Sequence, residues 1–277
     1  MMRKVRGIIA LDLDGTLLNS RKQLSSRNLY ALEAAAEDGW EIVPATGRFY
    51  KGMPDFIREL PFVNYAITIN GAEVVDLRRK RLVYEAEMPV KQAVKIMEWL
   101  DDYPVIYDCY MESHGWISQS HKDQVDTIVR DPHVRDMIHN LRTPVPDLKE
   151  FLLAEGKGVQ KIQFFSADDM ERIRMLDLMP RIFADVAVTT ALDQNVEINQ
   201  IHANKGEALM ALAAYLGVDM KDTIAIGDGT NDLPMIHAAG VGIGMANGSQ
   251  RVKEECDWAT QTNDKDGVAM AIERYCL

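Results

Sequence analysis

Five short segments carry residues whose types and spacing suit chemistry: Asp12 and Asp14, then Thr46-Gly47-Arg48, Asn70-Gly71, Lys205, and Gly227-Asp228. Asp12 and Asp14 stand two residues apart, so they point the same way if the strand leading into them continues. Asp228 then completes a hard-oxygen set suited to Mg²⁺. A divalent cation lets carboxylates crowd together and offsets the charge of an incoming phosphate, leaving one aspartate to attack phosphorus and form an aspartyl-phosphate. Asp14 is a candidate to protonate the leaving oxygen and later to activate water. Lys205 adds positive charge, while the Thr46 hydroxyl and backbone N–H groups near Leu13 and Gly47 suit phosphoryl oxygens. Gly15 fits a chain that turns sharply after the carboxylates.

These residues act together only if the fold brings their segments to one place. Gly7 to Leu13 is a near-continuous apolar run, as expected of a parallel strand buried on both faces. A helix is expected from Ser25 or Ser26, burying Leu29, Leu32 and Ala36 and stopping at Gly39. Residues 41–45 read as the next strand, 53–60 as a helix and 65–69 as a third strand, the alternation of a doubly wound sheet. Two short strands around the polar turn 77–81 read as a hairpin. From Met88 to Ala191 the pattern changes to helices mixed with alternating strands; 105–110 and 159–165 read as half-buried, and Met170, Met175 and Met179 as core-filling residues of one helix. After Asp193 the first pattern resumes: a helix over 204–216, strands at 223–226 and 241–244, and a last helix over 268–275. An alternation that stops and resumes indicates an inserted domain. Each chemical segment then falls at the carboxyl end of a strand or the start of a helix, where open α/β sheets bind ligands.

Composition narrows the function. A chain of 277 residues with 47% apolar and 26% charged residues is an ordinary globular protein, long enough for two domains. Thirty-one basic against 42 acidic residues, a net charge of −11, argues against nucleic-acid or membrane partners. The opening residues Met1 to Arg6 precede a strand-sized apolar run with no small-residue cleavage site, so a cytoplasmic location is expected. Cys109, Cys256 and Cys276 are too scattered for a disulfide framework, and Cys109 with His114 and His121 lacks the paired cysteines of a zinc site. Gly240 to Gly244 lacks the third glycine of a dinucleotide loop, and no P-loop motif occurs.

Four of these segments, in order, resemble the motifs of the haloacid dehalogenase superfamily: Asp12-Leu13-Asp14-Gly15-Thr16, Thr46-Gly47-Arg48, Lys205-Gly206, and Gly227-Asp228-Gly229-Thr230-Asn231-Asp232. Asn70-Gly71-Ala72, the long insertion between the second and third motifs, and Asp266-Gly267-Val268-Ala269 resemble the Cof-type phosphatase branch. The resemblance implies an α/β fold in which 1–84 and 191–277 form a Rossmann-like doubly wound parallel sheet core, with 85–190 as an inserted α+β cap domain. It implies that Asp12 is the nucleophile and a Mg²⁺ ligand, and that Asp14 is the acid/base and binds the metal through its backbone carbonyl. Asp228 would be the third protein ligand, with Asp232 supporting the ligands from behind. Leu13, Thr46, Gly47, Lys205 and Asn231 would bind the phosphoryl group, Thr46 and Lys205 counting also with the catalytic residues. One departure from relatives, His202-Ala203-Asn204 in place of a Gly-Val-Ser-like segment, leaves the lysine in position.

The expectation is a Mg²⁺-dependent phosphatase acting on a small phosphorylated metabolite, a sugar phosphate or a phosphorylated cofactor. A sugar phosphomutase of the same superfamily would share every core motif. A non-catalytic phosphometabolite sensor would have lost Asp12, Asp14 or Lys205, and all three are present. Two features stay open at this level. Asp232 caps the helix from Leu233 or serves the metal shell, and Arg48 makes a loop salt bridge or touches phosphate. Oligomeric state is left undetermined.

Overall fold

The computed structural model describes residues 5–190 and 194–277. The chain divides into two compact units, Met1–Glu85 with Asn204–Leu277, and Ala86–Ala203.

In the first unit five parallel strands stand in the order Trp258–Ala259, Val241–Gly244, Thr223–Gly227, Gly7–Leu11, Trp40–Pro44. All five residues of Gly7–Leu11 are buried, because alternate side chains meet different helical layers. Ile9 and Leu11 pack with Ala31, Leu32 and Ile272, while Ile8 and Ala10 pack with Leu209, Leu212 and Ile236. The chain runs from Gly7–Leu11 to one neighbour directly and reaches Thr223–Gly227, on the other side, only much later. The crevice at their carboxyl ends is the switch point of the sheet.

Local differences from the sequence reading have physical causes. The helix Ser26–Glu37 is capped by Ser25, which accepts from the Asn28 N–H at 3.1 Å. Its buried face runs through Asn28, Ala31, Leu32 and Ala35 rather than Leu29, Leu32 and Ala36. Asn28 is buried because its amide accepts from Ala269 N–H at 2.9 Å and donates to Leu17 O at 3.4 Å. The helix expected over 53–60 contracts to Asp55–Arg58, between Pro54 and Pro61. Tyr65–Thr68 meets the main sheet through the isolated parallel bridge Ala45 to Ile67, and Val63 just before it bridges Ile42. Its ladder is antiparallel to Glu73–Asp76, which pairs in turn with Arg81–Glu85 in the expected hairpin.

The second unit holds a six-stranded sheet in the order Val186–Thr189, Asn195–Gln200, Lys161–Ser166, Val105–Met111, His114–Ser118, Arg142–Val145. The helices Val90–Leu100, Leu148–Glu155 and Asp169–Ile182 supply Met97, Leu152 and Met175 to a core with Ile162, Phe164 and Ile198. Met179 is buried there as well, whereas Met170 is 75% exposed and is no part of the core. Val105–Met111 and Lys161–Ser166 are buried along their whole length rather than half-buried. Their polar positions are accommodated as ion pairs, Arg142 Nε 3.1 Å from Asp108 Oδ1 and Lys161 Nζ 2.8 Å from Glu197 Oε1. The expected return to the first unit at residue 191 lies outside the described residues. Asn195–Gln200 still pairs with Lys161–Ser166, so the second unit runs on to Ala203. Among the described residues no helix is long and apolar enough to cross a membrane.

Candidate active site

The first strand delivers Asp12 to the switch point and then stops. Asp12 N–H makes the last inter-strand bond, to Ile226 O at 3.0 Å, after which Leu17 and Leu18 N–H turn back onto Asp12 O and Leu13 O at 3.2 and 2.9 Å. Gly15 adopts φ +91°, and a Cβ there would lie 2.4 Å from Asp228 Oδ2, so the two acidic loops meet through the glycine. Because the strand does not continue, Asp12 and Asp14 diverge, contrary to the same-face reading of their spacing. The Asp14 carboxylate accepts from Arg48 Nε at 2.8 Å and Nη2 at 3.0 Å, and from Lys22 Nζ at 2.8 Å. Arg48 is thus the salt-bridge partner of Asp14 in this structure.

Asp12 instead gathers with Asp228 and Asp232, one carboxylate oxygen of each lying within 4.8 Å of the others. Lys205, fully buried, donates from Nζ to Asp12 Oδ1 at 2.7 Å and to Asp232 Oδ1 at 2.5 Å. The second oxygen of Asp232 accepts the N–H groups of Asp228 and Gly229, both at 2.9 Å. It therefore closes the loop before it and makes no side-chain cap to the helix Leu233–Ala238. Asp228 is held on its other flank by the Thr16 hydroxyl, which donates to Oδ1 at 2.8 Å.

Lys205 owes its place to the start of the helix Lys205–Leu216. Asn204 caps it, accepting from Gly206 and Glu207 N–H at 3.1 and 3.0 Å, so the His202-Ala203-Asn204 departure keeps a sound N-cap. Gly71, at φ +98°, lets the loop after the third strand press against this cap; a Cβ there would lie 2.2 Å from Asn204 O. The preceding Asn70 accepts from Asn231 Nδ2 at 3.2 Å and donates its N–H to Thr46 O at 3.0 Å, tying the Thr46 and Asn231 loops together. Thr46 is buried, its hydroxyl accepting Arg48 N–H at 3.2 Å. Leu13 N–H donates to no group among the described residues.

Reading residues one at a time missed Thr16, Lys22 and Asn247. Asn247 donates to Gly15 O at 2.8 Å and accepts Asn263 N–H at 2.9 Å, bracing the turn after Asp14. Its signal was a polar residue at the end of the charge-free stretch 233–250.

The electrostatics separate the two aspartates of the first motif. Burial pushes the Asp12 carboxyl well above its ordinary range, Lys205 pulls it down, and the Asp232 and Asp228 charges push it up again. Burial, followed by the Asp232 charge, raises Asp228 to about 6. Burial works against the Lys205 ammonium, yet Asp12 and Asp232 outweigh it and hold the proton firmly. At Asp14 burial is outweighed by Arg48 and Lys22, which leave the carboxyl below its usual range. Three carboxylates against one ammonium leave two negative charges in the cluster, a surplus that a divalent cation on oxygen ligands would neutralise. Both oxygens of Asp232 already accept hydrogen bonds, whereas Asp12 and Asp228 each accept one on a single oxygen.

Comparison with known proteins identifies the family. The sequence profile of haloacid dehalogenase-like hydrolases matches residues 9–272. The chain belongs to that family. Among curated relatives, phosphatase YwpJ of Bacillus subtilis (strain 168) is 30% identical over 288 residues, covering 95% of this chain and 97% of its own. The 5-amino-6-(5-phospho-D-ribitylamino)uracil phosphatase YcsE of the same organism is 29% identical, covering 98% and 96%. A solved haloacid dehalogenase-like hydrolase from B. subtilis superposes with a TM-score of 0.84 at 29% identity, covering 97% of this chain and 99% of that one. The chain is accordingly an enzyme, a phosphoric monoester hydrolase of the haloacid dehalogenase family.

Proposed function

We propose that this enzyme is a Mg²⁺-dependent phosphatase of small phosphorylated metabolites, sugar phosphates or phosphorylated cofactors, and that it works through an aspartyl-phosphate on Asp12. The observation that carries the reading is the Lys205 bridge between Asp12 and Asp232. It occupies one Asp12 oxygen, leaves the other to act, and keeps a fixed positive charge where phosphoryl oxygens would gather.

Asp12, Asp228 and the backbone carbonyl of Asp14 would hold the cation, which when bound supplies Lewis-acid charge neutralisation for the phosphate. The remaining roles belong to the chain. Leu13 N–H, Thr46, Gly47, Asn231 and Lys205 bind the phosphoryl oxygens. An Asp12 carboxylate oxygen forms a bond to phosphorus as the bond to the leaving oxygen breaks, and Asp14 gives that oxygen a proton. Water then attacks phosphorus, Asp14 takes its proton, and Asp12 and inorganic phosphate are released. As it sits, Asp14 is a carboxylate paired to Arg48 and Lys22, the form that accepts a proton; the acid step requires it to leave those partners. In this reading Ala86–Ala203 is the cap that selects the substrate.

The test is phosphate release with Mg²⁺ from sugar phosphates, pyridoxal phosphate and flavin mononucleotide, comparing wild type with Asp12→Asn. Mg²⁺-dependent release that the variant loses supports the reading. Equal activity of both proteins overturns the role of Asp12.

A further inference from the structure

A cavity of about 760 Å³ lies in the first unit at the amino ends of the strands. It is formed where Trp40 and Glu41 open the second strand, Tyr65 opens the third, and the helices Ser26–Glu37 and Lys205–Leu216 end with Glu37 and Leu216. The catalytic residues follow the opposite ends of these strands, and five residues of strand span roughly 16 Å. The cavity is therefore separate from the site above.

Its lining has a definite chemistry. Trp40, Phe62, Tyr65 and Leu216 give apolar and aromatic walls, and Glu33, Glu37, Glu41 and Arg78 are the charged groups among the lining residues. Glu41 is only 9% exposed. Its carboxylate accepts the Asn64 side-chain amide at 2.7 Å, and among the described residues no cation stands within ion-pair distance of it. A carboxylate buried without a counter-ion is costly, and burial raises its pKa, with Asn64 and the Arg78 charge opposing. Trp40 already acts as a cation platform, with the Arg6 guanidinium 5.4 Å from its ring centroid, and its buried indole N–H meets no acceptor among the described residues.

We infer that this cavity is a binding site for a small organic cation, an ammonium group on an apolar or aromatic body, with Glu41 as the counter-ion. The volume falls in the range of small-molecule sites. The ammonium gives Glu41 a counter-charge that no described residue supplies within ion-pair distance, and the body replaces water against Trp40, Phe62 and Leu216. Arg78 opposes the ligand and sets its affinity below what Glu41 alone would give.

The probe is 2-phenylethylammonium, titrated into the full-length protein while the indole N–H resonance of Trp40, assigned through Trp40→Phe, is followed by NMR. A saturable shift is expected with Kd on the order of a millimolar or below, and neutral 2-phenylethanol should bind at least about tenfold more weakly. Glu41→Gln should weaken the ammonium by a similar factor, with circular dichroism confirming that it is folded. Arg78→Ala alters an exposed residue and should tighten binding by about threefold or more; it decides the matter if Glu41→Gln does not fold. Absence of a saturable shift, equal binding of the neutral alcohol, or indifference to these substitutions overturns the proposal.

Discussion

Arg48 donates to both oxygens of Asp14, from Nε at 2.8 Å and Nη2 at 3.0 Å, and so neutralises the second aspartate of the motif away from the first. Two carboxylates separated by one residue thereby acquire different chemistry. Asp12 sits in a negative, metal-seeking cluster, and Asp14 is a charge-balanced base.

Removing that fork should change the pH dependence of turnover. The Asp14 carboxyl is held below its usual range, so it is ionised well into the acid; Arg48→Ala relaxes it upward, with Lys22 remaining. Asp14 must carry a proton to serve the leaving oxygen, so the basic limb of kcat/KM against pH should move to higher pH in Arg48→Ala, and an unmoved limb would show that Asp14 does not set it.

Asp232 touches no substrate in the proposed reaction but receives Lys205 on one oxygen and two backbone N–H groups on the other. In Asp232→Asn the amide NH₂ must face one of these donors, leaving a buried clash and an under-neutralised Lys205. The expected cost is about 3–5 kcal/mol in urea unfolding, with activity down about 10–100-fold. Wild-type unfolding would refute this positioning role.

Asp12→Asn should separate activity from stability. Burial and two neighbouring carboxylates disfavour the Asp12 charge, while Lys205 keeps Asp232 as a partner when that charge is gone. Metal-free Asp12→Asn is expected to melt no lower than wild type while phosphatase activity falls at least about a thousandfold. Differential scanning calorimetry in EDTA beside a phosphate-release assay reads both quantities.

The cluster also sets how stability responds to pH. Asp12 and Asp228 have carboxyl groups raised in the folded chain, Asp228 to about 6 against an ordinary 3.8. Between these values the folded state binds more protons than the unfolded one, so this contribution to stability is present below about 4 and is lost as pH rises through about 6. A divalent cation binds the deprotonated cluster and opposes that loss. Added Mg²⁺ should therefore raise the melting temperature more at pH 7.5 than at pH 5.5; an equal shift at both would count against the cluster as the metal site.

Much of this architecture is legible in the residues alone. Continuous apolar runs such as Gly7 to Leu11 announce strands buried on both faces, Ser25 and Asn204 announce helix starts, and the ordered motifs around Asp12, Thr46, Lys205 and Asp228 announce a phosphate site. These signals are local: period, capping chemistry and charge type reside in a few neighbouring residues. What only the tertiary structure decided is which groups meet across the chain. Spacing suggested that Asp12 and Asp14 act on one face, yet the turn at Gly15 sends Asp14 to Arg48 and Lys22 and brings Asp232 beside Asp12 through Lys205. The extent of the insertion was hidden for the same reason, since Asn195–Gln200 looks like any strand until its pairing with Lys161–Ser166 places it. Hydrogen-bond partners and the charges that set a pKa act through space, and the order of residues along the chain does not encode them until the chain has closed on itself.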